Sequence, residues 1–230
     1  MAIDKKRTSV WMKTVLIFVA VAFVASIVLP AFIGWGDPSP QDSGASETGL
    51  VLEQIAASHA PAIAAGTAQL DASPEDYDVL ANLGNTYYDW GFQIVNALGQ
   101  GSGYDLPMWV SATVYYERAL AVQPGDPNVQ VDMAIAYFYA GDTARAIEVA
   151  EAVFEESPEF APAYYNASIF YRTAGRIDEA VTVLERYLEL EPEGSSADAA
   201  RQMLSELEGA APVPVPDGSG DGSVEETAQP

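Results

Sequence analysis

Residues 125–158 read GDPNVQVDMAIAYFYAGDTARAIEVAEAVFEESP, and residues 159–192 read EFAPAYYNASIFYRTAGRIDEAVTVLERYLELEP. They are one pattern written twice. A shift of 34 residues lays Ile135 on Ile169, Tyr137 on Tyr171, Ala140 on Ala174, Gly141 on Gly175, Ala146 on Ala180, Val149 on Val183 and Pro158 on Pro192. A fixed period of this length predicts a stacked repeat, in which each unit buries its apolar face only against its neighbours. Gly91, Gly141 and Gly175 predict helix ends, because glycine accepts the left-handed closing conformation. Pro124, Pro158 and Pro192 stop the second helix of each pair, because proline lacks the donor a helix needs.

Residues 74–124 form a third copy with an insertion. Leu83-Gly84, Tyr87 and Gly91 match the first helix, and Ala112, Tyr116, Ala119 and Pro124 match the second. Gly91 and Pro124 are 33 apart where Gly141 and Pro158 are 17 apart, so 16 extra residues fall within 92–108. The insertion is apolar and then glycine-rich. It predicts either about two added turns on each helix or a partner-specific projection carrying Trp90, Phe92, Tyr104 and Trp109.

These residues resemble the tetratricopeptide repeat family. The family pattern appears as Leu80, Leu83-Gly84 and Tyr87, then as Met133-Ala134, Tyr137, Ala146 and Pro158. It returns as Tyr164, Ala167-Ser168, Tyr171, Ala180, Leu184 and Pro192. The resemblance covers roughly residues 74–192. It implies an all-α fold, a short right-handed α-solenoid of three helical hairpins with flanking capping helices, whose first helices line an inner groove. The residues projected onto that groove are Asn85, Tyr88, Val131, Ile135, Phe138, Tyr139, Tyr165, Ile169 and Arg172. Some members of the family hold a partner's terminal carboxylate there with Asn, Lys and Arg. In this sequence Asn85 matches one such place, but Asp132 replaces a second asparagine, and Tyr165 and Ile169 stand where the cations belong. With Asp89 and Asp132 nearby, the groove favours an apolar or basic protein or peptide segment.

Around the repeats, residues 50–73 predict one or two capping helices, broken near Pro61 and containing the single histidine, His59. Residues 195–208 predict a second cap with Ala199, Ala200, Met203, Leu204 and Leu207 as its apolar stripe. Residues 36–49 read as a polar linker and residues 209–230 as an acidic Pro/Gly tail. Part of that tail, Asp217 to Gly222, mimics the start of a calcium loop but places Ala228 where its last glutamate belongs.

Upstream, Thr14 to Ile33 carries no charge and is flanked by Trp11 and Trp35. Roughly 20 such residues span a bilayer core, so residues 14–35 predict a transmembrane signal anchor. A cleaved signal peptide would have a shorter apolar region and a small-residue cleavage site. Lys5, Lys6, Arg7 and Lys13 lie before the run, so residues 1–13 are expected in the cytoplasm. The expected placement is a single-pass protein of the cell membrane, its carboxyl-terminal domain periplasmic or extracellular. The expected oligomeric state is open.

The chain of 230 residues has a formal charge of −23 and no cysteine. From Asp37 onward, six arginines face 32 acidic residues, a formal −26. Such a surface repels nucleic acid, whose binding depends on phosphate neutralisation. Without cysteine and with one histidine, thiolate sites and histidine triads lack material. No cofactor, metal site or catalytic residue is expected, and the chain does not read as an enzyme. The function expected is a membrane-tethered protein-interaction scaffold. The alternative is an assembly or maturation factor for exported proteins, such as a cytochrome-biogenesis-like adaptor.

Overall fold

The computed structural model describes residues 46–209. They form eight α-helices: α1 (Glu47–Ala72), α2 (Tyr77–Leu98), α3 (Leu106–Val122), α4 (Pro127–Tyr139), α5 (Thr143–Glu156), α6 (Ala161–Thr173), α7 (Ile177–Leu190) and α8 (Ala197–Gly209). Each helix packs on the next, and α4 also touches α2 and α6. The helices α3, α5 and α7 make no comparable contact with one another. The stack therefore closes along α2, α4 and α6 and splays along the other layer, which makes the α2/α4/α6 side the inner one.

The local chemistry sets the boundaries. Asp76, Asp126 and Asp142 precede α2, α4 and α5, and each side chain accepts from a first-turn N–H, a bond an orphan amide needs. Gly141 closes α4 with φ 88° and Gly175 closes α6 with φ 75°. At both closures two crossed backbone bonds form. Gly141 N–H donates to Phe138 and Asp142 N–H to Tyr137, while Gly175 N–H donates to Arg172 and Arg176 N–H to Tyr171. This is the Schellman arrangement, and it fixes the turn between the helices of a pair.

Gly91 does something different. It is not a helix end, because α2 runs on to Leu98. A Cβ there would lie 2.7 Å from the ring of Trp109, which is fully buried. At Gly84 a Cβ would lie 2.5 Å from the buried ring of Tyr116. Both glycines are sites of close approach between α2 and α3. The insertion lengthens the pair unevenly. The helix α2 has 22 residues against 13 in α4, whereas α3 has 17 against 14 in α5. Its aromatics turn inward. Trp109 is fully buried, Trp90 nearly so, and only Tyr104 at the tip stays half-exposed.

The helix α1 is continuous through Pro61. Proline costs a helix one hydrogen bond, but Pro61 and Ala57, whose carbonyl loses its partner, are both exposed, where water can satisfy that carbonyl. His59 is buried between α1 and α2. Its ring stacks on Trp90 at 5.5 Å, and Nδ1 lies 2.9 Å from the Ile55 carbonyl.

The expected architecture needs one correction. An all-α, tetratricopeptide-like stack of helical hairpins stands, but the expected transmembrane helix is not among the described helices. Among the described residues, no helix is long and apolar enough to cross a membrane. The reason is visible in α2, where Asp78, Asn82, Asn85, Asp89, Gln93 and Asn96 keep a polar stripe along its whole length. The stretch 14–35, on which the anchor rested, lies outside the described residues, as do the basic segment 1–13 and nearly all of the tail. The single-pass anchor, the membrane tether and the periplasmic or extracellular placement have no support in the structure and leave the functional reading.

The close approach at Gly84 is testable by thermal and denaturant melts. Gly84→Ala is expected to destabilise the chain by about 1–3 kcal/mol through overpacking against Tyr116, despite the ~1 kcal/mol that alanine adds in helix propensity. Unchanged or raised stability would mean that α2 and α3 are further apart than described.

Candidate functional site

The inner side carries a connected set of aromatic rings. Tyr88 meets Phe92 edge-on at 4.9 Å, Phe92 meets Tyr139 at 5.1 Å, and Tyr139 meets Phe138 at 5.6 Å. Phe138 in turn lies 5.0 Å from Phe170. Beneath them Trp109 contacts Tyr88, Phe92 and Tyr139, with the Tyr139 ring stacked on it at 4.7 Å. Trp109 is itself fixed, since its indole N–H donates to the buried Asp105 at 2.9 Å. Centroid separations in this range suit edge-to-face and offset pairs. Tyr88, Phe92 and Tyr139 are partly exposed over this buried indole, and Phe138 is partly exposed beside Tyr139.

The residues projected from sequence do not share one setting. Tyr88, Phe138 and Tyr139 belong to this ring set, while Ile135 and Ile169 are partly buried beside it in the core between α4 and α6. Asn85 is exposed, but its Oδ1 accepts the Tyr116 hydroxyl at 2.8 Å, so one face of that amide is already used. Val131 is 5% exposed and packs with Val153 and Ala163, which removes it from any open surface. Tyr165 leans on Tyr187 of α7 at 5.3 Å. Arg172 is exposed at the end of α6 and makes no ion pair among the described residues. Phe92 was not projected, because it falls at the start of the insertion. Its signal was its position four residues after Tyr88, one helical turn further along the same face.

Two carboxylates, Asp89 and Asp132, act on the hydroxyl of Tyr88. Burial pushes the Asp132 carboxyl up to about 6, and Asp89 and Asp126 add to the rise. Asp126 shows the opposite behaviour. The Tyr77 hydroxyl and the Asn128 amide donate to it, and its carboxyl is held below the ordinary range. The difference is one of partners: hydrogen bonds to the charged form favour ionisation, and desolvation without them opposes it. Burial first, and then the same field, raises the hydroxyls of Tyr88 and Tyr116. No arginine pairs with Asp89 or Asp132 among the described residues.

Elsewhere, a shallow hollow of about 470 Å³ opens between α1 and α2, lined by Val51, Gln54, Ser58, Gln93 and Asn96. Among the described residues no group of three or more His, Cys, Asp or Glu side chains is placed to hold a metal ion.

A tetratricopeptide repeat family model matches residues 138–204, from the end of α4 into α8. No curated protein sequence matches the chain. Among solved structures, the first repeat domain of Spaghetti (RPAP3) bound to the HSP90 peptide SRMEEVD is 22% identical. The likeness covers 58% of this chain and 91% of that one, with a TM-score of 0.48. The Arabidopsis OM64 repeat domain is 19% identical over 56% of this chain and 94% of its own, with a TM-score of 0.46. MamA is 21% identical over 70% of this chain and 86% of its own, with a TM-score of 0.47.

The environment of Asp132 has a measurable consequence. A carboxyl raised in the folded state disfavours folding once it ionises, so stability falls as pH rises from about 4 through about 6 and the full penalty stands at neutral pH. Asp132→Asn is therefore expected to raise neutral-pH stability by on the order of 1–3 kcal/mol, with the gain vanishing as pH approaches the ordinary aspartate range. A destabilised Asp132→Asn protein at neutral pH would contradict the description of this site.

Proposed function

We propose that the repeat stack is a protein-interaction scaffold that holds a segment of a partner protein on its α2/α4/α6 side. The observation that carries this reading is the ring set of Tyr88, Phe92, Tyr139 and Phe138. These side chains are partly open to solvent, yet each is braced by a neighbour or by the buried Trp109. Braced aromatics supply large contact area at little ordering cost, and such residues dominate binding energy at interfaces. Stacks of helix pairs present a concave surface of this kind to extended or helical segments. No bond-making chemistry is needed, and His59, the one imidazole, is spent on packing against Trp90.

The partner class follows from the same surface. Six arginines face 26 acidic residues over 46–209, a formal −20. A nucleic acid or a strongly acidic protein would be repelled over long range. A segment with apolar side chains for the rings and no excess negative charge fits.

Peptides selected on the full chain from a random dodecapeptide display library provide the test. Tyr139→Ala and Tyr88→Ala are each expected to weaken the selected peptides about tenfold or more, the loss of ~1.4 kcal/mol or above that marks an anchor contact. Glu185→Ala, exposed on α7, should leave affinity unchanged. Insensitivity to both tyrosine variants, in protein whose melting shows it folded, would contradict the proposal.

A further inference from the structure

We propose that the chain's own segment 210–216, Ala-Ala-Pro-Val-Pro-Val-Pro, docks on this face across the carboxyl-terminal ends of α6 and α4, with Val213 and Val215 against Phe138 and Tyr139. A partner segment then binds by displacing it. This rests on the reading of the α2/α4/α6 side as a segment-binding face and adds a competitor carried by the same chain.

Three observations converge. The first is where the chain leaves the helices. In the pair α6 and α7, Tyr164 faces Arg186 while Tyr171 faces Arg176, so the two helices run in opposite directions. The short connection 191–196 turns the chain back, and α8 runs with α6. The Ser168 hydroxyl lies 3.6 Å from the Met203 sulfur, and Met203 and Leu207 share a core with Phe170. Thr173, the last residue of α6, lies five residues beyond Ser168, and Gly209, the last of α8, lies six beyond Met203. The two helices therefore end level with each other. Phe138 and Tyr139 belong to the last turn of α4, and Phe138 meets Phe170 near the end of α6 at 5.0 Å. The chain thus leaves α8 at the edge of the stack where the rings lie.

The second observation is reach. Neighbouring helix axes lie about 10 Å apart, so the end of α4 is roughly 20 Å from the end of α8. Alternating proline and valine favours the polyproline II form, because each proline fixes its own φ. At ~3.1 Å per residue, Val213 stands about 12 Å and Val215 about 19 Å from Gly209. Those lengths bring Val213 to Phe138 and Val215 to Tyr139. The third observation is chemistry. Proline-rich segments dock on aromatic-lined surfaces, since they lose little freedom on binding. Residues 210–216 carry no charge, whereas Asp217, Asp221, Glu225 and Glu226 follow them. The described body, with six arginines against 26 acidic residues, repels those acids. The repulsion sets the end of the docked stretch at Pro216. A short tether supplies an effective concentration of about 1 mM. An intrinsic dissociation constant of about 0.5 mM then keeps the segment docked roughly two-thirds of the time and weakens a competitor about threefold.

The test uses the full chain. With the photo-reactive residue p-benzoylphenylalanine in place of Asp217, light is expected to join the segment to the stretch holding Phe138 and Tyr139 of the same chain, mapped by mass spectrometry. Val213→Ser combined with Val215→Ser should abolish that product. The same two changes, made in the natural chain, should tighten binding of the selected dodecapeptides about threefold. Tyr139→Ala should cost more in that variant than in the natural chain, because in the natural chain it also releases the competitor. Both serines lie outside the described helices, so a melt that matches the natural chain shows the stack intact. Cross-links confined to α1, or to α3, α5 and α7, with affinity unmoved by the serine changes, would overturn the tail as occupant. Cross-links formed only between chains would also overturn it and place a second copy's segment on the face. In either case, peptides that still need Tyr139 would leave the segment-binding face standing. Peptides indifferent to Tyr139 in both backgrounds would overturn the face itself.

Discussion

Everything in this stack depends on how closely its helices approach at small residues. Where Gly84 and Gly91 face α3, the rings of Tyr116 and Trp109 lie so near that a single methyl would collide with them. Ala134, Ala167 and Ser168 play the same part further along and are almost fully buried. Dense packing of this kind fixes ring positions, because few alternative rotamers fit. The consequence travels outward. Trp109, pinned by its bond to Asp105, becomes the floor on which Tyr139, Tyr88 and Phe92 rest. A packing rule of the fold thus produces a rigid aromatic surface, and rigidity is what lets such a surface bind without a large ordering penalty.

The repeats also share a polar brace that keeps them in register. Tyr137 donates to Glu117 and Tyr171 donates to Glu151, each reaching back to the preceding helix pair. Arg145 and Arg176 sit over those same rings. Tyr87 has no such partner and stacks instead on Tyr115 and Trp90. The first pair is therefore held more by aromatic contact, and it is the pair enlarged by the insertion. Half-exposed braces contribute little individually, so their role is alignment and the buried rings supply the energy.

Much of the fold was legible before any coordinates. Gly141, Gly175, Pro124, Pro158 and Pro192 act locally, through backbone conformation and a missing donor, and local causes can be read from a sequence. Gly91 misled because it matched Gly141 by position, while its actual role depends on Trp109, which lies 18 residues away and meets it only in space. Pro61 suggested a break, but an exposed turn tolerates it. The site was less legible than the fold. Tyr88, Phe138 and Tyr139 were identifiable from helical spacing. Val131 shared that spacing yet is covered by Val153 and Ala163, because the start of α6 leans over it. The chemistry of Asp132 comes from burial and from missing partners, and neither leaves a mark in the order of residues. The apolar run at 14–35 raised a membrane expectation that the described helices do not carry.

The central claim is that α2 and α4 present one braced aromatic surface, on the α2/α4/α6 side, that holds a partner segment. A crystal structure of the full chain with a selected peptide tests it most directly. The account predicts peptide side chains packed against Tyr88, Phe92 and Tyr139. A peptide bound along α3, α5 and α7, with those rings untouched, would contradict it.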